Sequence, residues 1–202
     1  MYYPIVLQCT QGLKNIEAWL DQAEHHASAK QFDVGVLMTS RLAPDMKDFV
    51  YQVQSACDYV KGAAAWLSGQ TPPRHADTEK TVDELRARIR KTVAFAESVS
   101  EAQYDGAADR KVSWGGKIIG GDDYLLQMSL PNIYFHLTTA YAILRHNGVD
   151  IGPSPQLLPR SRFAGDSPLE GGDLPPMIKQ KKRGGNPARH PVVQEPGPPG
   201  QG

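Results

Sequence analysis

Over the first 150 residues, apolar side chains recur at steps of three and four, the spacing of helices that turn one face to a core. The pattern predicts a first helix over 3–29 through Ile5, Cys9, Leu13, Ile16, Leu20, Ala23 and Ala27. A second is predicted over 46–68 through Phe49, Val53, Ala56, Cys57, Val60, Ala64 and Leu67. A third spans 78–99 through Val82, Leu85, Ile89, Val93 and Ala96, with Asp77 or Thr78 as its cap and Glu84 placed to pair with Arg88 one turn on. A fourth, 122–147, stops at Asn147-Gly148 and should bend at Pro131. The link 36–46 holds an apolar piece read as one short helical turn ended by Ala43-Pro44. Between the third and fourth helices, Val112–Trp114 and Lys117–Ile119 flank Gly115-Gly116, a two-residue hairpin signal. Strands so short should rest on the helices and not form a sheet of their own. The expected fold is therefore all-α: a four-helix bundle with a small β-hairpin before the last long helix.

The fourth helix carries the candidate chemistry. Leu126, Ile133, Leu137, Ala140 and Leu144 make it apolar nearly all round, yet Ser129, Asn132, His136 and Thr139 fall on one line. Buried polar groups without partners cost a few kcal/mol each, so this row must find partners or line a cavity. We take the four residues as a candidate pocket. In the plainer alternative, His136 is a core histidine bonded to a neighbour, and Asn132 repairs backbone groups freed by Pro131. A pocket role implies that His136→Ala costs less than about 1.5 kcal/mol, because water can replace the ring. Tyr134 and Tyr141, seven apart, suit either a subunit interface or the core. Asp58, opposite the second helix's apolar stripe, reads as solvated or at an interface. Arg86, Arg88, Arg90 and Lys91 read as a solvated helix face. Arg41 and Asp45, flanking the Pro44 turn, read as a salt bridge or a cap.

Beyond residue 152 the composition shifts. Eleven of the sixteen prolines lie in 153–202, with Phe163 as the lone aromatic. Such a segment buries too little apolar surface to offset chain entropy. Residues 1–152 are thus expected to form the folded domain, and 153–202 a Pro/Gly-rich disordered tail. The KQKKR run at 179–183 reads as solvated tail in preference to an import signal. The 22 basic and 22 acidic residues balance to zero, which argues against nucleic acid or a membrane as partner. Cys9 and Cys57 sit on apolar stripes without metal or disulfide spacing, and no basic n-region opens the chain, so a cytoplasmic setting is expected. No nucleophile–base pair, phosphate loop or dinucleotide fingerprint is present.

Four blocks together resemble a known family: RLAPDM at 41–46, QVQSACDYVK at 52–61, DTEKTVDELRARI at 77–89, and YLLQMSLPNIYFHLTTAYAILRHNGVDIG at 124–152. They are similar to a domain-of-unknown-function family grouped with the DinB/YfiT-like metalloenzymes. The resemblance covers about residues 2–152 and implies a DinB-like bundle, often dimeric. In metal-binding relatives three histidines hold a divalent ion, one from the second helix and two from an H-x-x-x-H pair on the last. Here His136 would open the pair, but Ala140 closes it, and 46–68 contains no histidine. His146 lies ten helical residues, about 15 Å, from His136 and cannot substitute. No cofactor is therefore expected; a divalent metal follows from family analogy only, and any metal would fall to His136. The expected function is a non-catalytic or metal-less dimeric protein with a binding or stress-related role and an unspecified small-molecule ligand. The alternative is a metal- or thiol-dependent transferase with an atypical site around His136.

Overall fold

The computed structural model describes residues 1–153. Among them, four long helices supply most of the core: α1 (Tyr2–Lys30), α3 (Phe49–Ser68), α4 (Val82–Ser98) and α6 (Leu130–His146). The single turn α2 (Gly35–Met38) lies in the first link, as the apolar piece there suggests. Two 3-10 turns, Glu101–Tyr104 and Ala107–Asp109, lead from α4 into β1 (Lys111–Trp114) and β2 (Lys117–Gly120). A short turn α5 (Gly121–Asp123) and a π-helical turn, Tyr124–Ser129, run into α6. Among the described residues the fold is helical with one antiparallel hairpin, as the periodicity predicts. The Pro/Gly-rich segment read as a disordered tail, with its KQKKR run, lies beyond residue 153, outside the described residues.

α3 is the middle of the assembly, packing on α6, α4 and α1, while α1 also meets α4 and α6. The periodicity explains why: every apolar position named on the second and third predicted helices is buried. On α1 only Ile5 falls short, being half-buried, and Val6 beside it takes its place in the core. Asp48 caps α3 by accepting from the Tyr51 N–H at 3.0 Å, and Gly69 ends it in the left-handed region. Neither Arg41 nor Asp45 caps α3; the Arg41 guanidinium reaches the Pro44 carbonyl within its own turn at 3.4 Å.

Three local expectations are corrected. The cap of α4 is Thr81, in a reciprocal box with Glu84, not Asp77 or Thr78. That box occupies the Glu84 carboxylate, so it does not pair with Arg88. The fourth helix is not one α-helix bent at proline. Its first turns are α5 and the π-helical turn, which runs without a break into α6, and Pro131 stands directly after it. The hairpin forms as expected, pairing Trp114 with Lys117 across Gly115 (φ 57°) and Gly116 (φ 77°). Two successive positive φ values match the right-handed twist of the strands, and glycine allows both. The hairpin rests on the bundle through Val112, which is buried, and Trp114, whose ring meets Tyr59 and Tyr124.

Candidate functional site

The polar line on α6 faces α3, and its members find different partners. The Asn132 amide donates to the Met128 carbonyl at 2.7 Å, one turn back, as a residue repairing the backbone beside Pro131 would. Ser129 is fully buried with its hydroxyl beside that of Tyr124, and Thr139 is buried too. His136 is 8% exposed, and its Nδ1 lies 2.7 Å from Gln52 Oε1 on α3. The Gln52 amide nitrogen donates to the Lys47 carbonyl at 3.0 Å, which orients the side chain and leaves its oxygen toward the histidine. Nδ1 is then the protonated nitrogen, and Nε2 keeps its lone pair. The ring is stacked on Tyr59 (5.8 Å, 21°) and flanked edge-on by Tyr51 and Phe135. Tyr134 and Tyr141 serve the interior of the fold. Tyr134 accepts from Gln8, while Tyr141 donates to the Gly152 carbonyl and packs on Trp19.

A second polar assembly was not foreseen. Arg88, read above as part of a solvated face, is 2% exposed. It lies on the same side of α4 as Leu85, Ile89 and Thr92, so helical geometry carries it inward with them. Its guanidinium reaches Asp77 at 2.5 Å, Asp58 at 2.7 Å and Glu79 at 3.1 Å, and donates to the Gln54 carbonyl at 3.2 Å. Asp58 also takes Lys61 at 2.7 Å, so this half-exposed carboxylate joins two buried cations. Arg86 and Arg90 are likewise engaged, pairing with Asp21, Glu24 and Glu17 of α1. Burial pushes the Glu79 carboxyl up, but bonds from Gln54, its own backbone and Arg88 outweigh that and hold it below the usual range.

Two open clefts flank this assembly. One, of about 620 Å³, runs between the 73–79 loop and α4, past His75, Glu79, Arg88 and Phe95. The other, of about 360 Å³, lies between α3 and the hairpin, walled by Tyr59, Trp66, Trp114 and Tyr124 with Asp58 and Lys61 at its polar side. Gly62 forms part of that wall; a Cβ there would stand 2.6 Å from the Tyr124 hydroxyl. Ser129, Asn132, His136 and Thr139 line neither cleft, although the His136 ring backs the second through Tyr59.

Residues 1–154 match the family described as a domain of unknown function, DUF1993. The chain belongs to that family. It is also similar to a crystal structure of a DinB family member from Shewanella denitrificans, at 43% identity and a TM-score of 0.72, over 76% of this chain and 89% of that one. No curated protein matches it.

The three-histidine site that the DinB resemblance implies does not fit the residues of this DUF1993 domain. Ala140 is fully buried one turn after His136, and the α3 side chain that meets His136 is an amide, a poor ligand for a transition metal. Among the described residues no three His, Cys, Asp or Glu side chains converge on a point that could hold an ion. What this domain offers instead is the aromatic cleft. Its walls escape a periodicity argument, because Tyr59 and Trp66 sit off the main apolar stripe of α3 and Trp114 comes from the hairpin. The available signal was Trp114 beside Gly115-Gly116, a large apolar ring on a strand too short to bury it.

Two predictions arise here. His136→Ala strands the Gln52 carbonyl and empties a ring's volume between three aromatics. That raises the expected cost to about 2 kcal/mol, which urea unfolding would measure; below about 1 kcal/mol, the Gln52 bond contributes little. The second concerns pH. Burial lowers the pKa of His136, and burial followed by Lys61 and Arg88 lowers that of His75. An unfolded histidine titrates near pH 6.5 (about the ordinary value), so below it the unfolded chain takes up protons that the folded chain refuses. The associated stability is whole above that pH and is lost as pH falls toward the depressed folded values. Tm should therefore decline between pH 7.5 and 5.5, less steeply in His136→Gln. A flat Tm across that window would show that neither ring is held neutral.

Proposed function

We propose that this protein is a metal-less, non-catalytic binding protein that acts as a homodimer in the cytoplasm. The observation that carries the reading is the state of His136. The one histidine of the polar line is tied to an amide and stacked on a tyrosine, and among the described residues no group of His, Cys, Asp or Glu gathers that could hold a metal ion. Such a ring has a structural occupation, joining α6 to α3 through the Gln52 bond. Support for a second copy comes from the same face of the molecule. Tyr51 (42% exposed) and Phe135 (53%) both adjoin His136 and present aromatic surface to solvent. The alternative, a metal- or thiol-dependent transferase centred on His136, draws on one feature, the Nε2 lone pair that makes no hydrogen bond among the described residues.

Elemental analysis and light scattering on protein purified without a histidine tag separate the two. The binding-protein reading expects transition metal well below one equivalent and a mass twice the 22.1 kDa of the chain. Near one equivalent of zinc, nickel or iron, lost in His136→Ala, would move the assignment to the transferase. A clean monomer would remove the dimer.

A further inference from the structure

The cleft between α3 and the hairpin has a chemistry of its own, and the inference below rests on the binding-protein reading by naming what the cleft takes. Its walls are flat. The rings of Tyr59 and Trp114 are 5.7 Å apart, those of Trp114 and Tyr124 6.1 Å, and Trp66 completes the apolar side. Trp114 remains 38% exposed, so one of the largest rings in the protein is left uncovered at the cleft. Walls of this kind favour a planar aromatic guest, which can stack on them face to face. The volume, about 360 Å³, lies at the small end of the range for ligand pockets.

The polar side selects further. Lys61 is 8% exposed and spends one donor on Asp58 Oδ1; its other two have no partner among the described residues. Asp58 accepts from Lys61 and Arg88 through Oδ1, while its Oδ2 makes no hydrogen bond among the described residues. The Asp58 side chain is 41% exposed and lines the cleft. The cleft thus presents a spare acceptor beside spare donors. A cationic guest would meet the Lys61 ammonium, and an anionic one the Asp58 carboxylate, so both are disfavoured. A neutral ring with a donor next to an acceptor on one edge satisfies both groups. Gly62 keeps room in the wall, since any side chain there would run into Tyr124. Tyr124 itself is delivered to that point by the π-helical turn, a distortion often retained where a helix serves a site.

We propose that the α3–hairpin cleft binds a planar, uncharged heteroaromatic ring of the nucleobase type, stacked on Trp114 and hydrogen-bonded edge-on to Asp58 and Lys61. Tryptophan fluorescence of the full chain, titrated with guanosine, adenosine and cytidine, tests it. At least one should quench saturably below millimolar concentration. Caffeine, which stacks but carries no N–H donor, should bind at least tenfold more weakly. Trp114→Ala should lose at least tenfold in affinity, whereas Trp114→Phe, which keeps a ring against Tyr59 and Tyr124, should lose less. Asp58→Ala, which removes the acceptor that only a guest N–H can use, should narrow the gap between the best nucleoside and caffeine. Failure of all three nucleosides to bind would overturn the proposal, as would equal binding of caffeine or preferential binding of choline. If none binds while metal content stays low and the mass is that of a dimer, the ligand class is wrong and the binding-protein reading stands. If metal is stoichiometric, that reading falls whatever the titration shows.

Discussion

Arg88→Ala is expected to lower the unfolding free energy by about 3 kcal/mol. The guanidinium is 1% exposed at its side chain and carries three carboxylates, Asp58, Asp77 and Glu79. Removing one partner of a buried ionic group typically costs about 3–5 kcal/mol, because the remaining charges stay without compensation. The figure belongs at the lower end, since Asp58 and Asp77 are 41% and 54% exposed and water relieves them in part. Asp77 also holds a left-handed backbone (φ 53°), which a non-glycine residue sustains only while something fixes it. The segment around it should loosen in the variant and become a site of proteolytic cutting. Arg90→Ala is the control: its side chain is 69% exposed, and its pair with Glu17 should be worth less than about 1 kcal/mol. Urea unfolding of the two variants decides the matter. Equal small losses would mean that the Arg88 assembly does not hold the loop to the bundle.

Gly121→Ala is expected to cost about 2–3 kcal/mol and to displace the hairpin. A Cβ at residue 121 would lie 1.9 Å from the Ala107 carbonyl oxygen and 2.9 Å from its carbon. Both are backbone atoms, so no side-chain rotation relieves the clash; the Ala107–Asp109 turn and α5 must separate. Because β1 and β2 join those two turns, Trp114 should shift against Tyr59, and tryptophan emission should move with the loss of stability. Gly115→Ala separates this from a general glycine effect. Nothing lies within 4 Å of a Cβ there, so only the positive φ of 57° opposes it, at about 1 kcal/mol. If Gly121→Ala and Gly115→Ala melt alike, close approach at residue 121 is not what seats the hairpin.

The sequence by itself determined the three long helices before the hairpin, the apolar faces they bury, and the hairpin; of the fourth it missed the π-helical turn, which leaves Leu126 half exposed. A helix repeats every 3.6 residues and a two-residue turn needs positive φ, so both leave local marks in composition. Leu85, Ile89 and Val93, or Gly115-Gly116, can be read without knowing what lies opposite. The sequence also marked His136 and its neighbours as polar groups that burial would force to find partners. Which partners they find was decided by tertiary structure: Gln52 is 84 residues from His136, and only α3 against α6 brings the pair together. The same holds for Arg88. Its neighbours along the chain suggest a charged surface, while its partners Asp58 and Glu79 come from α3 and the loop before α4. Charge is tolerated inside a bundle only where opposite charge converges from elsewhere, and convergence of that kind has no period. The aromatic cleft follows the same logic, since its walls come from one face of α3, one hairpin and one π-helical turn. Local physics sets each element's own shape and buried side, while a site made between elements exists only once they are packed.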